Sequence, residues 1–249
     1  MWRHIASSVR GTSHQRSGAD CQDSHLVVEV ADSSLLLVCA DGAGSASLSH
    51  IGSEVACRTL QDEATRYFAA GGELADMNRE TALEWIDAVK TKLQVQADAH
   101  GVPMRELACT IVASLLGGGS AAFLQVGDGA VVATNGEQYE VVFWPDQGEF
   151  ANTTFFVTSP NAADRLQFAL RLDEMSDIAL FTDGLQHLAL AYDTRTAHAP
   201  FFRPMFGRLR SDEDWPELGV ALAAFLSSER VADRTDDDCT LILASKVAP

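Results

Sequence analysis

Basic residues are scarce in this chain. Eighteen lysines and arginines stand against 35 aspartates and glutamates over 249 residues, a formal net charge of −17. Such a surface repels phosphate backbones and anionic headgroups, so nucleic acid and membrane surfaces are excluded as partners unless cations intervene. Paired cysteines are lacking too. Cys21, Cys39, Cys57, Cys109 and Cys239 are odd in number, scattered singly, without CxxC spacing or paired histidines, which argues against a disulfide framework and against a zinc site. The start, Met1 to Ser8, has no apolar core of signal-peptide length, and no later apolar run approaches the ~18 residues of a membrane span. Repeats, low-complexity tracts and Pro/Ser-rich linkers are also missing. The expectation is a cytoplasmic protein that folds as one domain over residues 1–249.

What is present suits a folded protein with a sizeable core: 47% hydrophobic and 21% charged residues. Apolar runs at 26–30 and 35–39, separated by Asp32-Ser33-Ser34, read as a hairpin. Further strand-like runs lie at 109–116, 121–126, 131–134, 139–143, 178–182 and 239–244, most joined by Gly, Asn or Asp turns that favour antiparallel pairing. Ile51, Val55, Leu60, Ala64 and Phe68 recur at helical spacing, as do Ala82, Ile86, Val89, Leu93 and Ala97. A third helix is expected at Leu218, Ala221, Leu222 and Phe225, with Asp214 as N-cap and Pro216 in its first turn. Strands in blocks with helices between them indicate α+β layers, not alternating βα units. The least regular stretch, 187–214, reads either as a surface flap or as a loop packing its phenylalanines onto the core.

Three apolar runs end in Asp-Gly: at Asp41-Gly42, Asp128-Gly129 and Asp183-Gly184. A fourth acidic cluster, Asp236 to Asp238, immediately precedes the run at 239–244. Taken singly, Asp-Gly is a common hairpin turn, and Asp128-Gly129 fits that reading. Asp41 and Asp183 fit it less well, because a small-residue or helical stretch follows each instead of a return strand. Three adjacent like charges at 236–238 cost free energy unless a cation neutralises them. Carboxylates held at the lips of buried strands would build an oxygen-only cage for hard divalent cations.

The ordered motifs Gly11-Thr12-Ser13-His14 with Gln22-Asp23, Asp41-Gly42-Ala43-Gly44, Thr110, Val126-Gly127-Asp128-Gly129, Thr182-Asp183-Gly184 and Asp237-Asp238-Cys239-Thr240 resemble those of the metal-dependent PPM protein phosphatases, the protein phosphatase 2C family. The likeness is strongest to compact bacterial members and extends from residue 11 to residue 243. It implies a four-layer α-β-β-α sandwich, two antiparallel sheets flanked by helix pairs, with Mn²⁺ or Mg²⁺ at one end. By the resemblance, Asp41 would bridge two metals and Gly42 would offer its carbonyl. Asp183 and Asp237 would ligate one metal, and Asp23 would contact the other directly or through one of its ligands. Asp128, with Asp183, would hold a third, weaker ion. Asp41, Asp183 and Asp237 would thus carry catalysis, with water activated between two cations attacking phosphorus in line. The substrates implied are phosphoserine and phosphothreonine in proteins, and the partner a Ser/Thr kinase or that kinase's targets.

Three positions depart from the family pattern. Gln22 stands where many members have an acidic residue. Ala43 stands where eukaryotic members have a histidine proposed as general acid, which leaves water or another histidine, His14 or His50, to protonate the leaving group. Gly18 occupies the place of a phosphate-binding arginine, for which Arg16 and Arg10 are the nearest substitutes and His14 a further polar candidate; a bidentate guanidinium favours Arg16. Two other readings follow from these departures: a catalytically silent phosphatase-like binding module, and a two-metal hydrolase of another phosphate ester.

Overall fold

The computed structural model describes residues 1–145 and 154–247. One antiparallel sheet runs edge to edge through β1 (Trp2–Val9), β12 (Cys239–Lys246), β9 (Asp177–Phe181), β6 (Ala130–Thr134) and β7 (Glu140–Phe143). The second runs through β2 (Ser24–Ala31), β3 (Ser34–Ala40), β4 (Ile111–Gly117), β5 (Ser120–Val126) and β8 (Gln167–Arg171). A small hairpin, β10 (Leu190–Ala191) with β11 (Thr196–Ala197), stands apart.

The period-2 alternation of a strand explains why the central runs are apolar throughout. Along β3, Leu35, Leu37 and Cys39 face the other sheet, meeting Val131, Ile178, Leu180 and Ile242. Leu36, Val38 and Ala40 point the opposite way, beneath helices α2 (Ser49–Ala69) and α3 (Arg79–His100), whose Leu60, Ala64, Ile86, Val89 and Leu93 cover them. With both faces buried, no polar position remains in Leu35-Leu36-Leu37-Val38-Cys39. The outer face of the first sheet is covered by α6 (Ala199–Ser211) and α7 (Leu218–Leu226) through Phe202, Phe206, Leu209, Leu222 and Leu226. The layers are therefore helix, sheet, sheet, helix. Among the described residues no helix is long and apolar enough to cross a membrane.

Three elements depart from the sequence reading. β1 escaped it because this edge strand pairs with β12 alone and leaves most of its side chains half-buried, so polar residues such as His4 and Ser8 interrupt its pattern. β8 escaped for the same reason at the edge of the other sheet. The irregular stretch 187–214 does pack its phenylalanines onto the core, but from a helix and not from a loop. It contains the short helix α5 (Gln186–Ala189, which it enters at its second residue), the small hairpin, and α6, whose buried Phe202, Phe206 and Leu209 recur at helical spacing. Two prolines hid α6: Pro200 sits in the first turn, where the missing N–H costs nothing, and Pro204 lies inside the helix. Arg210 ties α6 to the sheet through the buried carboxylate of Asp177, which also accepts from Ser245 Oγ. Asp214 does not cap α7 with its side chain; its carbonyl accepts from Glu217 N (2.9 Å) and opens a 3₁₀ turn over Trp215–Glu217 ahead of α7.

The register brings one set of strand ends to a common rim. Ser24 pairs with Ala40, Ile111 with Val126, and Phe181 with both Ala130 and Leu241. The residues just past those ends, 23, 41, 128, 183 and 237, therefore lie at the same end of the sandwich.

Candidate metal centre

Asp41 is the first residue after β3, and its backbone is held on both sides by Thr110. Asp41 N donates to Thr110 Oγ1 (3.1 Å), and Thr110 N donates to the Asp41 carbonyl (2.8 Å). Gly42 follows in a slot too narrow for a side chain: a Cβ there would lie 2.7 Å from the Gln22 carbonyl oxygen and 2.8 Å from that of Ser49. Asp128 sits in the turn between β5 and β6. The buried Gln125 braces this turn by donating to the carbonyls of Gly127 (3.2 Å) and Gly129 (2.9 Å), while Thr154 Oγ1 donates to Asp128 Oδ2 (2.7 Å). Asp183 opens a 3₁₀ turn directly beyond β9.

Carboxylate oxygens of Asp41, Asp128 and Asp183 lie within 4.8 Å of one another, an arrangement able to share a cation. Asp23, almost fully buried, stands behind them; its Oδ2 accepts from Thr240 Oγ1 (2.7 Å) and Thr182 Oγ1 (2.8 Å). Its Oδ1 is buried without a hydrogen-bond partner, as is Gln22 Oε1. An unpartnered buried carboxylate oxygen costs free energy unless a cation or proton compensates it. Together with a donor set made of oxygen atoms, it fits Mg²⁺ or Mn²⁺ and not a thiolate-seeking metal.

Electrostatics tell the same story. Burial pushes the Asp183 carboxyl up to about 8, reinforced by Asp128, Asp237 and Asp23. Asp23 is raised to about 7 mainly by burial, against the two threonine hydrogen bonds that favour its ionised form. Asp41 is raised well above the ordinary carboxylate range by burial and by the charges of Asp23, Asp183, Asp237 and Asp128. Carboxylates gathered this closely repel one another until positive charge arrives.

The remaining sequence candidates are placed differently. Asp237 contributes its field but lies outside the close trio; it is exposed, and its Oδ1 accepts from the backbone N of Asp238 (2.8 Å). Arg16, on the short helix α1 (Thr12–Ser17), is turned outward to Asp236 Oδ2 (2.9 Å), with both side chains roughly two-thirds exposed. His14, on the same helix, is largely buried, with Nδ1 2.9 Å from Asp238 Oδ1. His50 is exposed near the start of α2, and Ala43 is buried against Ala108 and Ala46.

Sequence reasoning overlooked Gln125 and assigned no role to Asp238, Thr182 or Thr240. Both threonines adjoin the acidic motifs, so a hydroxyl beside a strand-end aspartate was the available signal. Gly184 gives a sharp test of the packing: a Cβ there would lie 2.1 Å from the Asp238 carbonyl oxygen, a backbone atom that cannot swing away. Gly184→Ala is expected to destabilise the protein by about 2–3 kcal/mol and to displace Asp183, read as a lower thermal midpoint together with lost activity.

A profile of the protein phosphatase 2C family matches residues 10–227. The chain belongs to that family. This phosphatase is 35% identical, over 252 aligned positions covering 98% of both chains, to serine/threonine-protein phosphatase 3 of Escherichia coli strain K12. Its fold is similar to the catalytic domain of the serine/threonine phosphatase PstP, crystallised with two manganese ions (TM-score 0.67, 16% identity, 99% of each chain covered). It is also similar to Stp1 of Staphylococcus aureus (TM-score 0.64, 17% identity, 100% of this chain and 96% of that one). The expected two-sheet sandwich is thus the fold of the phosphatase, and protein dephosphorylation its activity.

Proposed function

We propose that residues 1–249 form one phosphatase domain, which binds two or three Mn²⁺ or Mg²⁺ ions at the rim and hydrolyses phosphoserine and phosphothreonine in a protein kinase or that kinase's targets. The observation that carries this reading is the convergence of Asp41, Asp128 and Asp183 over the buried, half-satisfied Asp23. In this reading Asp41, Asp183 and Asp237, with Asp23, Asp128 and the Gly42 carbonyl, hold the ions. When bound, the ions supply Lewis acidity to phosphoryl oxygens and acidify water. The protein's own part is rigidity: the Thr110 clamp fixes Asp41, Gln125 fixes the Asp128 turn, and the two threonines keep Asp23 oriented. A cytoplasmic setting suits five cysteines that all stand as free thiols.

Purified protein should hydrolyse p-nitrophenyl phosphate and a phosphothreonine peptide with Mn²⁺ and lose both activities in EDTA. Binding of the phosphopeptide without turnover of either ester would favour the silent module, a reading supported by the engagement of Arg16 with Asp236. Turnover that survives EDTA would contradict the metal assignment.

A further inference from the structure

The hydroxyls on Asp23 Oδ2 do not end the network behind the metal centre. Thr240 Oγ1, which donates to Asp23 Oδ2 (2.7 Å), lies 2.6 Å from Ser8 Oγ, its cross-strand neighbour on β1. Ser8 Oγ in turn lies 2.7 Å from Nδ1 of His25 on β2. β1 and β2 are edge strands of different sheets, so these contacts form one unbroken line from the margin of the second sheet, through the first, to the buried carboxylate. Thr240 and Asp23 are buried, whereas Ser8 and His25 are half-buried.

Proton counting gives this line a direction. A hydroxyl holds one proton and donates once, and a carboxylate has none to give. The Thr240 proton goes to Asp23, so Thr240 accepts from Ser8; the Ser8 proton then goes to Thr240, so Ser8 accepts from Nδ1–H of His25. A neutral ring protonated at Nδ1 and a doubly protonated ring both donate there, so the ionisation of His25 does not decide the direction. Only a neutral ring protonated at Nε2 alone breaks the line. Successive donors polarise one another, which strengthens the last bond onto Asp23. With Thr182 Oγ1 also donating to Oδ2 (2.8 Å), two hydroxyls occupy that oxygen, and the unpartnered Oδ1 is the one left for a cation.

We propose that Ser8 and His25 are positioning residues for the metal centre: through Thr240 they hold the Asp23 carboxylate with Oδ2 engaged and Oδ1 available to a cation. The proposal rests on the metal assignment above and extends it to two residues whose hydrogen bonds reach Asp23 through another side chain.

The test is Mn²⁺ binding, followed without turnover by the EPR signal of free Mn²⁺, for wild type, Ser8→Ala, Ser8→Thr, His25→Phe and the Ser8→Ala/His25→Phe double variant. Ser8→Ala is expected to raise the Kd of the tightest ion about tenfold, the low end of the ~10–100-fold that partners of a metal ligand are worth. Ser8→Thr keeps the hydroxyl and should bind within about threefold of wild type, well short of that loss. His25→Phe should weaken binding in the same direction, and the double variant should bind no more weakly than Ser8→Ala, because His25 acts through Ser8. The imidazole ¹⁵N spectrum of wild type loaded with diamagnetic Mg²⁺ should show a proton on His25 Nδ1.

Unchanged Mn²⁺ binding in Ser8→Ala or in His25→Phe, a Ser8→Thr variant as weak as Ser8→Ala, independent multiplication of the two effects, or a bare Nδ1 on His25 would overturn the proposal and leave the metal assignment standing. A wild type that takes up no Mn²⁺ would overturn that assignment itself. Should Ser8→Ala fail to fold, His25→Phe and the wild-type ¹⁵N spectrum decide.

Discussion

Asp41→Asn and Asp183→Asn will each lower Mn²⁺-dependent turnover by about 10³-fold or more, while the protein stays folded. Each substitution removes a negative charge from the carboxylate trio without changing side-chain size, and neither residue belongs to the hydrophobic core. Losing the several kcal/mol that cations contribute to a phosphoryl transition state corresponds to that factor, at tenfold per 1.36 kcal/mol. The measurement is kcat/KM across a Mn²⁺ titration, with circular dichroism to check folding. Wild-type turnover in either variant would remove that residue from the centre.

The second large effect is a dependence of stability on pH with the reverse of the usual carboxylate sign. An aspartate stabilised by a cationic partner has a lowered pKa, and its contribution is lost as the pH falls. Asp23 and Asp183 have raised values, about 7 and about 8, so the unfolded chain ionises first, near the ordinary 3.8, and folding opposes ionisation up to the folded value. Their contribution is complete below the unfolded pKa and is lost as pH rises through the folded one. His4 and His25, lowered chiefly by burial, act in the opposite direction, but mainly below their ordinary 6.5. The clean window therefore lies between about pH 7 and 8.5. There the Tm of metal-free protein should fall by about 3–6 °C, at ~2–4 °C per kcal/mol for a chain of this length. Mn²⁺ at about 100 times its Kd should add ~2.7 kcal/mol and so reverse the loss. Asp183→Asn should flatten the metal-free profile. A Tm that rises with pH across this window would mean that the acidic cluster is not strained.

How much of this was legible in the sequence depended on how local each feature is. The central strands announced themselves because β3, β4, β9 and β12 are apolar on both faces, and the aspartates at their ends followed from the runs that they terminate. The edge strands β1 and β8 did not, because a half-buried strand with polar interruptions resembles a loop. α6 was masked by two prolines that it tolerates. Within the centre, the residue types were readable but the directions of the side chains were not. Asp128 joins Asp41 and Asp183 in the trio, whereas Asp237 turns to the amide of its neighbour, and Arg16 turns to Asp236. The turn of Arg16 to Asp236 spans 220 residues and the bond from Gly11 to Asp238 spans 227, separations that no local pattern encodes.

That long-range join also bears on synthesis at the ribosome. β12 is made after every other strand, yet it lies inside its sheet, between β1 and β9. Until it emerges, β1 has no partner and β9 has an open edge, and the amides of Gly11 and Gln22 wait for Asp238. Without β12 the first sheet is split, and its apolar strands lie beside unpaired edges. A chain cut short before residue 239 would lack the strand that joins β1 to β9 and would carry two open sheet edges, prone to pair with other chains.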